Sequence, residues 1–200
     1  MNDTRERILR EALRLFAMNG YEAVSVSDIA GALGMTKGAL YRHYGSKRDI
    51  FDHILARMAA RDGEQAAAHA LPTGTLLEMP EAYRLAALSD IAAFGKAMFR
   101  YWTLDEFAAP FRRMLTLEQY RSPEMGALYQ QYLTTGPLGY LADLFTSMGI
   151  ARPRERAAAF YAPMFLLYSV FDAAGDGADT EALLGGQLDE LCRQIKEEMQ

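Results

Sequence analysis

The sequence predicts an all-α protein, with a three-helix, helix-turn-helix head followed by a larger helical body. Three observations carry that reading. Apolar residues recur at helical spacing in one segment after another, and no stretch alternates at the period of two that a strand needs. Serine, threonine, proline and glycine stand at the ends of those segments, where caps and breaks belong. Two short apolar segments near the start are joined by a single glycine, Gly34, which is the spacing of a helix-turn-helix.

The first helix starts at Asp3 or Thr4, with Glu6 placed to reach back to Asp3. Ile8, Leu9, Ala12, Leu13 and Phe16 form its apolar face, and Asn19-Gly20 ends it. Ser25 and Asp28 read as a capping box for a second helix, 26–33, with Ile29, Ala30 and Leu33 facing inward. Gly34 turns the chain, Met35 plugs the space behind it, and Thr36 caps a third helix running to Tyr44. Leu40 and Tyr44 face inward. Thr36, Lys37, Gly38, Tyr41, Arg42 and His43 are left to face outward. Ser46 caps a fourth helix, 46–70, that links a head of residues 1–48 to a body of residues 49–200.

In the body, Pro80 opens a helix expected to run to Trp102, with Leu88, Ile91, Ala92, Gly95, Met98, Phe99 and Trp102 on one face. Thr103 and Glu106 read as a capping box for a stretch interrupted near Pro110. Ser122-Pro123 starts the next helix, and Gly136-Pro137 kinks or splits it. Pro153 starts a helix that is apolar nearly all round from Ala157 to Phe171. Thr180 starts the last helix, with Leu184, Leu188, Leu191, Ile195 and Met199 in a stripe.

Composition narrows the class. Half of the 200 residues are apolar, enough for a sizeable core. The longest apolar run holds Pro163 and falls short of a membrane span, and the charged N-terminus lacks a signal core, so a cytoplasmic protein with no membrane partner is expected. The single cysteine, Cys192, fits a reducing compartment. Net charge is −5, but residues 1–61 carry +3 and the remainder −8, the asymmetry of a polyanion-binding head on an acidic body.

The second helix of a helix-turn-helix enters the DNA major groove by its N-terminal end. Lys37 offers a donor to guanine edges, Gly38 lets the backbone approach closely, and Tyr41 and His43 can donate to phosphates. Lys47 stands against the helix dipole in the first turn of its helix, which suggests an external anion to meet. Gly45-Ser46-Lys47 has the wrong order for a nucleotide-binding loop.

The run Ile29-Ala30-x-x-Leu33-Gly34-Met35-x-Lys37-Gly38-x-Leu40-Tyr41-x-His43-Tyr44-x-Ser46-Lys47 resembles the DNA-binding signature of the TetR (tetracycline repressor-like) regulators. The resemblance covers roughly the first fifty residues. It implies a DNA-binding head on a helical effector and dimerisation body. By position, Tyr41, His43 and Lys47 look like phosphate contacts, Thr36, Lys37 and Gly38 like the base-facing start of the recognition helix, and Ser27 sits where the preceding helix reaches DNA. Tyr44 replaces the usual phenylalanine, and Val26 stands where a hydroxyl residue often meets phosphate.

The resemblance also implies a homodimer on double-stranded operator DNA. The last two helices are the expected pairing surface, through Tyr161, Phe171, Leu184, Leu188, Leu191 and Ile195. A small-molecule effector is the expected second partner, and no cofactor or metal is expected. Large soft side chains (Phe94, Met98, Tyr101, Trp102, Phe111, Met114, Tyr129, Tyr132, Met164, Phe165 and Tyr168) are either plain core or the walls of a permissive pocket. Glu118 and Asp143 are placed to meet a cationic ligand but read more simply as solvent-facing.

Three function classes stand side by side. A ligand-released repressor fits both head and body. A DNA-bound activator or protein-interaction scaffold without a small effector fits the head equally. An enzyme fits poorly: His43, His53 and His69 are scattered, and the chain has neither a Gly-x-Ser-x-Gly elbow nor a dinucleotide glycine fingerprint.

Overall fold

The structure, a computed structural model, describes residues 3–174 and 177–199. Among the described residues there are eleven helices and no strand: α1 (Asp3–Asn19), α2 (Val26–Ala32), α3 (Lys37–Tyr41), α4 (Lys47–Ala68), α5 (Pro80–Leu85), α6 (Leu88–Leu104), α7 (Ala108–Glu118), α8 (Pro123–Leu133), α9 (Thr135–Ser147), α10 (Pro153–Ala174) and α11 (Gly177–Glu198). By compactness the chain divides into two units. One joins Met1–Arg61 with Asp105–Tyr129, and the other joins Asp62–Leu104 with Gln130–Gln200.

The first unit is built on the apolar face of α1. Ile8, Leu13 and Phe16 are fully buried with Ile29, Leu40, Ile50, Phe51 and Ile54, so α1 to α4 share one core. Helix α7 packs along α1 and adds Phe107, Phe111, Met114 and Leu115 to that core. Segment 105–129 is thus part of the same compact unit as the helix-turn-helix.

In the second unit α6, α10 and α11 pack together and α9 lies against α10. Gly95 makes the approach of α6 possible. A Cβ there would sit 2.8 Å from the Phe160 ring and 3.2 Å from Leu188, so any side chain would push the three helices apart. Phe99 stacks on Tyr168 at 5.4 Å, and the Tyr161 hydroxyl donates to the Leu133 carbonyl at 2.9 Å.

Several expected boundaries move. The helix expected from Pro80 to Trp102 is two helices, broken where Ala86 adopts an extended conformation. Tertiary contacts override local propensity there, since Tyr83 is buried, edge-on to Tyr140, with its hydroxyl on the Gly74 carbonyl. Thr103 is no cap. It lies inside α6 with its hydroxyl on the Phe99 carbonyl, and the Asp105 carboxylate instead accepts from the N–H groups of Phe107 and Ala108. Pro110 sits in the first turn of α7 and interrupts nothing, because proline lacks only a donor that the first turn leaves idle. The split near Gly136-Pro137 is present, between α8 and α9. Helix α3 stops at Tyr41, short of Tyr44, and α11 begins at Gly177, before Thr180. Glu6 turns away from Asp3 to accept from Arg10 at 2.8 Å and to pair with Arg57.

Candidate nucleic-acid interface

The reading helix is fixed from both ends by its own sequence. Ser25 and Asp28 form the expected capping box, with Ser25 N–H donating to Asp28 Oδ2 at 2.8 Å and Asp28 N–H to Ser25 Oγ at 3.2 Å. Gly34 takes φ +66°, the left-handed conformation the turn needs. Thr36 Oγ1 then accepts the Ala39 N–H at 3.1 Å and caps α3. Leu40 and Tyr44, both buried, anchor the inner side of this segment, and the Tyr44 hydroxyl donates to the Arg5 carbonyl at 3.3 Å.

With that side anchored, the opposite side is presented to solvent. Ser27, Thr36, Lys37, Gly38, Tyr41 and Arg42 are all exposed, and His43 is half-buried. The Lys37 ammonium lies 5.8 Å from the centroid of the Tyr41 ring. Nothing stands within 4 Å of where a Gly38 Cβ would be, so no packing inside the protein demands a glycine there.

Lys47 has an internal task that its position alone did not suggest. Its ammonium donates to the carbonyls of Tyr21 at 2.9 Å and Glu22 at 3.4 Å, and lies 4.3 Å from the Tyr21 ring centroid. It ties the start of α4 to the α1–α2 connection. Ser46 caps α4 as expected, accepting the Asp49 N–H at 3.0 Å.

Residues 8–54 match the family model described as bacterial regulatory proteins, tetR family. The head belongs to the TetR family. Relatives match over that same region. The transcriptional regulator AcrR of Shigella flexneri is 42% identical over 62 residues, covering 31% of this chain and 29% of its own length. The transcriptional repressor AcnR of Corynebacterium glutamicum is 35% identical over 83 residues, covering 40% and 44%. The chain therefore spans less than half the length of the curated relatives it matches. The solved complex of SmeT with triclosan shares the fold across 96% of this chain and 90% of that one, with a TM-score of 0.64 and 18% identity. The described residues thus have the all-helical fold of TetR-family structures.

Around the TetR-family head lie ties that sequence reasoning missed. Glu118, expected in solvent, is 1% exposed and accepts the Tyr21 N–H at 3.1 Å, with Arg121 at 3.5 Å. Arg48 on α4 pairs with Asp52 and, across 76 residues of sequence, with Glu124 on α8. Arg61 grips Asp105 through two hydrogen bonds of 2.7 and 3.0 Å. Asp105 carried the one available signal, an acid just before an apolar run. The others pair residues far apart in sequence and left no local trace.

The expected pocket residues do not gather in one unit. Phe111 and Met114 are core of the first unit, where Tyr129 also lies. Phe94, Met98, Tyr101, Trp102, Tyr132, Met164, Phe165 and Tyr168 lie in the second, where Trp102 meets Tyr132 edge-on at 6.4 Å. Phe165 is open to solvent. Of the expected pairing residues, Tyr161, Phe171, Leu184, Leu188 and Ile195 are buried in the chain's own packing, and only Leu191 is partly open. The apolar side chains left open on these helices are neighbours instead, Phe165, Leu166 and Val170 on α10 and Leu183 on α11. Leu183, Leu191 and Ala159 also line a groove of about 560 Å³. Asp143 is exposed. Among the described residues no three His, Cys, Asp or Glu side chains form a metal-binding group, and no helix is long and apolar enough to cross a membrane.

Proposed function

We propose that the protein is a DNA-binding transcriptional regulator, a repressor that pairs as a homodimer on a near-palindromic operator and leaves it when a small hydrophobic or aromatic effector binds. The observation that carries this is the exposed side of α3. Lys37, Gly38, Tyr41 and Arg42 stand outward on a helix whose other side is locked by Leu40 and Tyr44. Lys37 and Gly38 are at the end of the helix that enters the groove, and Tyr41 and Arg42 suit phosphates.

One short helix reads few bases, so two heads held at half-sites about 34 Å apart give the affinity that one lacks. The open apolar side chains of α10 and α11 support pairing through those helices. SmeT, a repressor of a multidrug efflux pump, forms a complex with triclosan, which supports an aromatic effector here. Such a ligand acts only through unequal affinity for the bound and free forms, worth about 1–3 kcal/mol of coupling.

Gel retardation of the DNA upstream of the protein's own gene tests the reading. The complex forms at low salt, weakens steeply as salt rises, and is lost in the Tyr41→Ala, Lys47→Ala double variant. Full binding by a folded double variant would refute the assignment of the head. Selection of bound DNA from a random pool gives the half-site and its spacing. Operator release by a small ligand separates the repressor from a scaffold that lacks one.

A further inference from the structure

The second unit contains one acid that its own packing does not satisfy. Asp62, midway along α4, has its Oδ1 buried with no hydrogen-bond partner. Burial alone raises its carboxyl, to about 7, with no basic group offsetting it. The neighbouring aromatics are equally sheltered. Tyr132 lies close enough for the Asp62 charge to add to the burial that pushes its hydroxyl up to about 12. Tyr132 meets Trp102 edge-on, and Trp102 meets Tyr101 at 5.4 Å. All three rings are buried.

A buried carboxylate with an unmet oxygen costs stability, and a hydrophobic residue of similar size would fold better. The cost is offset only when a cation or strong donor reaches that oxygen. Aromatic faces beside a carboxylate are the environment that favours an organic cation over a neutral molecule of the same shape, through ring quadrupole and charge together.

We propose that Asp62, Trp102 and Tyr132 form a recognition site for an organic ammonium group attached to an apolar or aromatic body, with Asp62 as the countercharge. This rests on the effector reading above and specifies the ligand's chemistry. The ammonium donates to Oδ1 and the apolar body lies among the rings, which part to admit it.

Two probes differing only in charge test it, 4-phenylbutylammonium and 4-phenylbutan-1-ol, titrated at pH 8 into the full-length protein without DNA. The protein's single tryptophan is Trp102, so its fluorescence reports occupancy at the site itself. The ammonium binds about tenfold or more tightly than the alcohol, as expected for a desolvated charge pair. In Asp62→Asn, which keeps the shape, the ammonium loses that advantage and alcohol binding is unchanged. The wild-type comparison needs no variant, so it decides the matter even if Asp62→Asn folds poorly. Equal affinities, no binding of either probe, or a preference that survives in folded Asp62→Asn would each overturn the site. If the ammonium binds as expected but leaves a preformed operator complex intact, the release mechanism fails while the site stands.

Discussion

Gly38 and Asp62 are the two residues whose identity the chain's own packing does not explain. Open space surrounds the missing Cβ of Gly38, so Gly38→Ala should leave the fold intact and raise helix stability by about 0.5–1 kcal/mol. Its effect belongs to the interface, where the added methyl holds the backbone off DNA. Operator affinity falls at least tenfold while the melting temperature holds or rises. Asp62 behaves oppositely. Its carboxyl titrates near 7 in the folded chain against about 3.9 when unfolded, so the folded state holds a proton that the unfolded state has lost between those values. Stability therefore declines as pH rises from about 4 to 7, and the full penalty persists above. Asp62→Asn removes this contribution. Urea unfolding should show its advantage over wild type growing from near zero at pH 4 to a few kcal/mol at pH 8.

At the scale of elements, close approach and capping decide stability. Gly95→Ala forces a methyl against Phe160 and Leu188 at the meeting of α6, α10 and α11, and should cost about 1–3 kcal/mol in denaturant unfolding. The start of α7 depends on Asp105. Burial is the largest influence on its carboxyl and pushes it up. The N–H groups of Ala108 and Phe107, together with Arg61, outweigh burial and hold it below the usual carboxylate value. A depressed folded pKa stabilises above the unfolded value of about 3.9 and is lost as pH falls through the folded one. Asp105→Ala should thus cost about 1–2 kcal/mol at pH 7 and much less near pH 3, read by thermal melts at both pH values. These elements were unevenly legible. Ser25, Thr36 and Ser46 cap where the pattern placed them, because capping joins residues three apart. The break at Ala86 was hidden, because it follows from Tyr83 packing on Tyr140 and Gly74.

For the whole molecule, the open apolar side chains of α10 and α11 bear on assembly. Leu166 is 64% exposed and Leu183 54%, while the stripe that the heptad pattern marked is buried in the chain's own packing. Leu166→Arg with Leu183→Arg should leave the helical content unchanged, convert a dimer to monomer in sedimentation, and weaken operator binding by two orders of magnitude or more, through loss of bivalency. A dimer that survives both charges would move the pairing surface elsewhere. Periodicity found the right helices and the wrong sides of them. A stripe of leucines shows that something is buried, but not whether the cover is another helix of the chain or a second copy.

The sequence by itself determined the helical fold, the helix-turn-helix and the outward set on α3, because these rest on contacts between residues a few positions apart. Caps, turns and one-sided apolar spacing are written locally, and the TetR-family signature is made of them. Tertiary structure alone decided that Glu118 is buried against Tyr21, that Lys47 secures the α1–α2 connection, and that Phe111 and Met114 are core of the first unit. It also left Asp62 Oδ1 without a partner. Whether a charge is met by solvent, by an opposite charge or by nothing depends on what distant segments bring to it, and spacing along a chain carries no record of that.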